Sequence, residues 1–440
     1  MATVEAMAWW PQLFARRRLA PAATEAQQAH RRARVGTLPK GGGRVHETGP
    51  GPAASSPRHE RRWTPDAVAA TAVILLLVLV GLVLSFSASF VDAAEGGDPF
   101  GTFLRQLLWA TVGVPIFFAV ASLDHRIWRS LSWPLLAGGL VGLVLVLVPG
   151  VGLSEAGSSR WLALGPLVFQ PSEVAKLATL LWLADVHARK RAAGIDLEAR
   201  PSHRLVPALP LLAVEAALIM AEPDLGTTLL VGLIVALVLW ADGIPIRTFG
   251  ALGMVGGALA GTAAVIEPYR FERLTGWFHP DHDPLGSGYQ LLQSLYALGS
   301  GGWFGLGLGS SRGKWNFIPN PETDFIFAII GEELGLLGAL FVLTLFAVLL
   351  LLGLRVARRA AEPFGQVAAF AVTGWIVGQA LVNVGAVTGL LPITGVTLPL
   401  VSVGGSSLLS TLVALGILVA IARDTPPSAV REDEGRRTTR

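Results

Sequence analysis

Cysteine is absent from all 440 residues, which excludes disulfides, thiolate metal sites and cysteine nucleophiles. Charge is scarce as well. Asp, Glu, Lys and Arg make up 15% of the chain against 52% hydrophobic residues, too few to clothe soluble domains of this length. With 34 Lys and Arg against 31 Asp and Glu the net charge is only +3, so the cationic excess of a nucleic-acid-binding protein is missing. No His-Glu-x-x-His or comparable ligand spacing occurs. His279, Asp281, His282 and Asp283 read as a solvated loop, and no metal site is assigned. The glycine-rich run Gly299–Gly309 follows no strand and opens no crossover unit, so it is not a dinucleotide fingerprint.

What the chain has instead is long apolar runs, such as Ala67–Leu84, Leu135–Val148 and Leu340–Leu354, close to the roughly 20 residues that cross a hydrocarbon core. The expected fold class is an all-α polytopic membrane protein of about ten transmembrane helices. They lie near 66–87, 103–121, 131–149, 171–187, 205–221, 224–241, 244–266, 325–353, 364–388 and 397–422. A large extracytoplasmic loop, 267–324, separates helices 7 and 8. Lys and Arg concentrate in alternate connections: Arg126 and Arg129; Arg189, Lys190, Arg191, Arg200 and Arg204; Arg247; Arg355, Arg358 and Arg359. Of the short intervening connections, 88–102, 222–223 and 389–396 carry none and 150–170 has only Arg160, which places both termini inside. The domain reading is a basic, disordered cytoplasmic tail over 1–64, a membrane domain over 65–423 and a cytoplasmic C-terminal tail over 424–440. The first span doubles as an uncleaved membrane signal.

Ionisable groups inside such a chain mark function by default. Asp324 lies in Pro319–Phe327, at the outer end of an apolar span and among aromatic residues. A carboxylate there suits a general base; the alternative is that it caps the following helix. Glu173 and Lys176 share one helix face behind Pro171, either as cavity residues or as a packing pair. Arg160 and Trp161 read as site residues or as an ordinary interfacial cation and aromatic. Arg160, Lys176, Arg312 and Lys314 together would place cations where a pyrophosphate needs donors. Pro392–Gly395 and Pro399–Ser407, the latter containing Ser402, interrupt the last apolar stretches. Broken helices of this kind line cavities in lipid-handling enzymes and in transporters alike. The amphipathic segment Tyr289–Leu298 points to a folded loop resting on the membrane.

Five motifs in order resemble the SEDS family (shape, elongation, division and sporulation) over about 66–422. They are Arg160-Trp161 with Phe169–Glu173 and Lys176; Glu222–Thr228; Gly299–Gly309; Thr323–Phe327 with Gly331–Gly335; and Gly389–Gly395 with Gly404–Ser407. The last two resemble the family's division branch more than its elongation branch. The resemblance implies a peptidoglycan glycosyltransferase that polymerises lipid II at the outer face of the bacterial cytoplasmic membrane, at the division septum. It also implies work with a class B penicillin-binding protein and other division proteins. The family's essential loop aspartate falls on Asp324 as catalytic residue, and Arg160, Trp161, Glu173 and Lys176 fall on its cavity positions; Lys314 and Ser402 complete the expected substrate-binding set. Glu322 stands where the family often has His, and Val403 where it often has Tyr. An inverting displacement needs a base and charge compensation for the leaving pyrophosphate, the latter from Arg160, Lys176, Lys314 or a divalent cation, Mg²⁺ or Mn²⁺. No cofactor beyond such a cation is expected. The rival readings are a lipid II flippase and a non-catalytic division scaffold.

Overall fold

The computed structural model describes residues 62–424 apart from 96–97, 99, 156–157, 166, 195–201, 267 and 320. The basic tail up to residue 61 and the C-terminal tail beyond Asp424 therefore lie outside the described residues. The elements run α1 (Pro65–Glu95), α2 (Gly101–Ser122), α3 (Ile127–Val146), β1 (Gly152–Glu155), β2 (Ser158–Leu164), β3 (Leu167–Phe169), α4 (Pro171–Ala192), α5 (Ser202–Ala221), α6 (Leu225–Ala241) and α7 (Ile246–Ile266). They continue with α8 (Pro268–Phe278), α9 (Tyr289–Gly301), α10 (Ile326–Arg359), α11 (Pro363–Val387) and α12 (Gly405–Arg423).

A helix stands at each of the ten apolar stretches. Among the described residues, six are long and apolar enough to cross a membrane: Pro65–Phe90 of α1, then α2, α3, α10, α11 and α12; α5 and α6 hold shorter apolar segments. The helix α4 differs in kind. Its Ser172, Glu173, Lys176, Thr179, Asp185 and His187 are all buried, and α3, α6 and α11 pack against it. Enclosed by other helices, it meets protein where the outer helices expose leucines and phenylalanines, so polar groups can face its neighbours. Pro171 opens its first turn, and Arg189, Lys190 and Arg191 close its last against the helix dipole.

The all-α expectation needs one correction. Residues 152–169 contain a three-stranded antiparallel sheet in the order β1-β2-β3, with Leu153 opposite Trp161 and Leu162 opposite Phe169. Ser158–Leu164 is short, and the period-two signal of such a strand is averaged away in a window sized for a membrane span. The loop expected to be folded is folded: α8 and α9 lie within 267–324, and α9 turns Leu291, Ser294, Ala297 and Gly301 inward.

Two spans are irregular, one at the interruption expected from Pro399–Ser407 and one at a break the sequence did not suggest. Residues 397–404 are not helical, so the last helix starts at Gly405, and Leu400 there takes φ 66°, an outlier for a bulky side chain. The span beginning near 325 breaks at Gly335, with φ 67° and ψ −167°. A break in a buried helix frees backbone groups that need new partners, and the glycine-rich run supplies them. Leu336 and Leu337 donate their N–H to the carbonyls of Gly302 and Trp303 at 2.9 and 3.2 Å. In return Leu306 and Gly307 donate to the carbonyls of Glu332 and Glu333 at 2.9 and 3.0 Å. The approach is close enough that a Cβ on Gly305 would stand 2.1 Å from the Glu333 carbonyl oxygen.

The two glutamate side chains complete the junction. Glu332 accepts from Ser311 Oγ at 2.5 Å and from the N–H groups of Arg312 and Gly313 at 2.9 and 3.2 Å. Glu333 accepts from Ser87 Oγ of α1 at 2.7 Å and pairs with Lys314 Nζ at 3.4 Å. Gly335→Ala is expected to cost about 1–3 kcal/mol, because its φ and ψ belong to a region essentially restricted to glycine. The cost should appear as a lower Tm of the purified protein together with faster proteolysis within 299–314. An unchanged Tm and unchanged cleavage would show that the junction does not depend on this residue.

Candidate functional site

Asp324 is half-buried at the start of α10. The N-cap position of α10 falls on Phe325, the residue after Asp324. The peptide around Asp324 is stitched to the irregular segment that precedes α12. Asn383 Nδ2 of α11 donates to both the Asp324 and the Val396 carbonyls at 2.7 Å. Ser402 Oγ donates to the Thr323 carbonyl at 2.5 Å while accepting from Leu398 N–H at 2.8 Å, and Val403 N–H donates to the Glu322 carbonyl at 2.9 Å. From the far side Gln106 of α2 accepts from Gly404 N–H at 3.1 Å and donates to the Ser402 carbonyl at 3.4 Å. Asp324 Oδ2 faces Gly395, where a Cβ would lie 3.5 Å away. Glycine at 395 leaves the space before that oxygen open.

One face of α11 carries this arrangement. Trp375, Gln379 and Asn383 are spaced four apart and so lie in one row. Trp375 Nε1 donates to Gln379 Oε1 at 2.9 Å, and Gln379 Nε2 donates to the Thr397 carbonyl at 3.0 Å. Below them Lys176 Nζ sits over the Trp375 ring at 5.2 Å and pairs with Glu173 at 2.9 Å, while Ser410 of α12 donates to the other Glu173 oxygen at 2.8 Å. The expected Glu173–Lys176 pair is therefore real and connects through Trp375 to the segment that holds Asp324.

Arg160 of β2 reaches the same neighbourhood from the sheet. Its Nε and Nη2 donate to the carbonyls of Glu222 and Pro223 at 3.1 and 2.5 Å. Asp224 caps α6 by accepting from Thr227 N–H at 2.9 Å, and Gly226 in the first turn lies against the Thr394 carbonyl, 2.5 Å from where its Cβ would be. Continuous contact thus runs from Arg160 through the 222–226 turn and Thr394–Gly395 to Asp324. Along it, Glu222 Oε1 and Oε2, Thr394 Oγ1 and Asn383 Oδ1 are buried without a hydrogen-bond partner, which is uncommon for buried polar atoms. Trp161 is half-buried beside Arg160 and, by strand alternation, on the opposite face of the sheet.

The expected cation patch needs correction. Lys176 and Lys314 are buried, 1% and 4% exposed, and each is paired with a buried glutamate. A buried carboxylate left alone is costly, so each lysine is committed to its partner. Lys314 belongs to the Glu332–Glu333 junction and not to the Asp324 surroundings. Arg160 bonds to the neutral carbonyls of Glu222 and Pro223. Glu222, Gln379 and Asn383 were not singled out from sequence as site residues. The signal for the two amides was their four-residue spacing inside the apolar stretch 364–388.

Burial, reinforced by Asp224 and opposed by Arg160, pushes the Glu222 carboxyl up to about 8. Raised in the folded state above its ordinary 4.5, it favours folding fully at low pH. That contribution is lost as pH climbs from about 4.5 through 8, where the unfolded chain ionises first. Glu222→Gln is therefore expected to gain thermal stability relative to the parent as pH rises from 5 to 9. A difference in Tm that stays flat over this range would place the titration elsewhere.

Known proteins resemble this chain over the same region. Residues 68–426 match the family model of FtsW, RodA and SpoVE, described as cell cycle protein. The chain is 42% identical over 367 residues to the stage V sporulation protein E of Bacillus subtilis (strain 168), covering 82% of this chain and 98% of that one. It is 41% identical over 366 residues to the probable peptidoglycan glycosyltransferase FtsW of Mycobacterium tuberculosis, covering 83% and 69%. Among solved structures it resembles one that reports the structural coordination of polymerization and crosslinking by a peptidoglycan synthase complex, with TM-score 0.66 and 32% identity over 81% of this chain and 97% of that one. The crystal structure of the rod shape-determining protein RodA of Thermus thermophilus follows at TM-score 0.59 and 29% identity over 82% and 97%. The matched span takes in every motif and every residue of the Asp324 surroundings, and the chain belongs to the FtsW, RodA and SpoVE family of multi-pass membrane proteins.

Proposed function

We propose that this chain is a peptidoglycan glycosyltransferase that polymerises lipid II into β-1,4 glycan at the outer face of the bacterial cytoplasmic membrane during cell division. The observation that carries the reading is the Asp324 arrangement: a half-buried carboxylate facing an open glycine, its backbone fixed by Asn383 and Ser402, with the Arg160 turn in contact alongside. The acceptor sugar's 4-hydroxyl attacks the anomeric carbon of the donor, and its proton passes to Asp324. The bond from that carbon to the phosphate oxygen breaks, and the pyrophosphate leaves with the electron pair. One displacement inverts the α-linked donor to a β-linked product. Arg160 is the protein cation assigned to the leaving group, and a divalent cation such as Mg²⁺ or Mn²⁺, were one bound with the substrate, would supply further charge compensation there.

Glu173 and Lys176 act as positioning residues through Trp375 and Gln379. Trp161 is assigned to a sugar face. The exposed Trp303, Phe304, Leu308, Trp315 and Phe317 continue the exposed Leu336, Leu337 and Phe341 of α10, which supports a loop resting on the outer leaflet. Both termini are assigned to the cytoplasm from the basic connections. A class B penicillin-binding protein is the expected partner, consistent with the polymerization and crosslinking complex among the similar structures. The breaks at Gly335 and 397–404 would also suit transfer of lipid II across the membrane, a reading separated by the same assay.

Asp324→Asn is expected to lower the rate of lipid II polymerisation, measured with the purified protein and its penicillin-binding partner, by about a hundred- to ten-thousand-fold. Normal glycan synthesis by a folded variant would end the base assignment. If neither form makes glycan while labelled lipid II crosses liposome membranes, the transporter reading stands. Asn383→Ala releases the Asp324 and Val396 carbonyls together, and its kcat is expected to fall about a hundredfold with KM little changed. A change confined to KM would assign Asn383 to substrate binding instead.

A further inference from the structure

A second group of ionisable side chains lies far from Asp324 and takes no part in the reaction. His125 and Asp124 belong to the short connection between α2 and α3, Asp424 follows the last residue of α12, and Glu362 precedes α11. The nineteen residues of α12 separate this group from the 397–404 segment by about 28 Å at 1.5 Å per residue. His125 is 4% exposed, and its Nδ1 has no hydrogen-bond partner. That nitrogen points at two carboxylates, 3.4 Å from Asp424 Oδ2 and 3.8 Å from Asp124 Oδ1. One ligand atom from each of the three residues lies within 4.8 Å of the others.

We propose that Asp124, His125 and Asp424 form a site for one divalent transition-metal cation of the zinc type. Ligand atoms about 2.1 Å from a tetrahedral metal stand about 3.4 Å apart; the two separations from His125 Nδ1 are within a few tenths of an ångström of that, and the two carboxylates, with ligand atoms no more than 4.8 Å apart, would turn toward the ion. The other ring nitrogen fits the same purpose. His125 Nε2 faces Glu362 Oε2 at 3.9 Å, an oxygen that also has no hydrogen-bond partner, while Arg126 holds the opposite Glu362 oxygen at 2.6 Å. A carboxylate behind the imidazole fixes the tautomer and ring orientation that present the far nitrogen to a metal. Phe364 lies parallel to the ring within 10° and supports that orientation.

Imidazole as one of three ligands selects zinc-type ions over Mg²⁺, which prefers oxygen and water. A bound cation would tie the α2–α3 connection and the start of α11 to the end of α12, the helix that follows the segment holding Asp324.

The test uses the full chain in detergent, stripped with chelator and dialysed against ZnCl₂, with bound zinc measured by mass spectrometry and Tm recorded in parallel. The parent is expected to hold one equivalent more than His125→Gln and to gain Tm with zinc, a gain absent from the variant. Glu362→Gln should weaken binding ten- to a hundredfold, while His279→Gln with His282→Gln should leave the extra equivalent in place. Should His125→Gln fold poorly, the partly exposed Asp424→Asn serves in its place. Equal zinc uptake and an equal Tm shift in parent and variant would overturn the proposal, as would full displacement of the zinc by equimolar Mg²⁺.

Discussion

Buried main chain that leaves a helix must find hydrogen-bond partners in other protein, and the rest of this structure depends on how that demand is met at two places. At Gly335 the freed N–H groups of Leu336 and Leu337 bond to the Gly302–Trp303 peptide, and the Glu332 and Glu333 carbonyls accept from Leu306 and Gly307. At 397–404 the partners come from the peptide 322–324, from Asn383 and Gln379 of α11 and from Gln106 of α2. The two breaks are joined through the first turns of α10, so the glycine-rich loop, the aspartate before α10 and the segment before α12 form one connected unit. Main-chain bonds on either side of Asp324 help to hold it in position.

Buried charge follows the same economy. Glu173 with Lys176, Glu333 with Lys314, and Asp242 with His187 and Arg191 are compensated pairs or groups inside the helix packing. Replacing one member would strand the other, at a cost larger than the pair contributes when intact. Among the described residues, Glu222 and Glu215 are buried without a paired cation: both Glu222 carboxyl oxygens and Glu215 Oε2 have no hydrogen-bond partner. Arg160 beside Glu222 bonds to the Glu222 and Pro223 carbonyls. Paired and unpaired buried charges are thus told apart by their partners, a distinction that residue type alone does not make.

The outer loop combines two surfaces. One side mates with the break in α10 through glycines and the Glu332–Glu333 pair; the other exposes Trp303, Phe304, Trp315 and Phe317. Large aromatics on a loop fixed by backbone bonds form a rigid apolar ledge. The metal site proposed at the far end of α12 would act on the opposite end of the same helix.

The apolar runs, the scarcity of charge and the alternation of basic connections were sufficient to read a polytopic helical bundle, because span length and hydrophobicity are local properties. Asp324, Arg160 and the Glu173–Lys176 pair could be singled out for the same reason: an ionisable residue at the edge of an apolar run stands out in one dimension. Tertiary structure alone decided what each of them touches. Lys314 looked like a free cation until Glu333 was seen beside it, and Asn383 and Glu222 gained importance only from the carbonyls and unpartnered oxygens around them. The interruption at Pro399–Ser407 was legible from its proline, glycines and serines, whereas the strands at 152–169 and the break at Gly335 escaped for a related reason. Each is set by partners distant in the chain, and hydrogen bonds between residues as far apart as 106 and 404 leave no periodic trace in the amino-acid order.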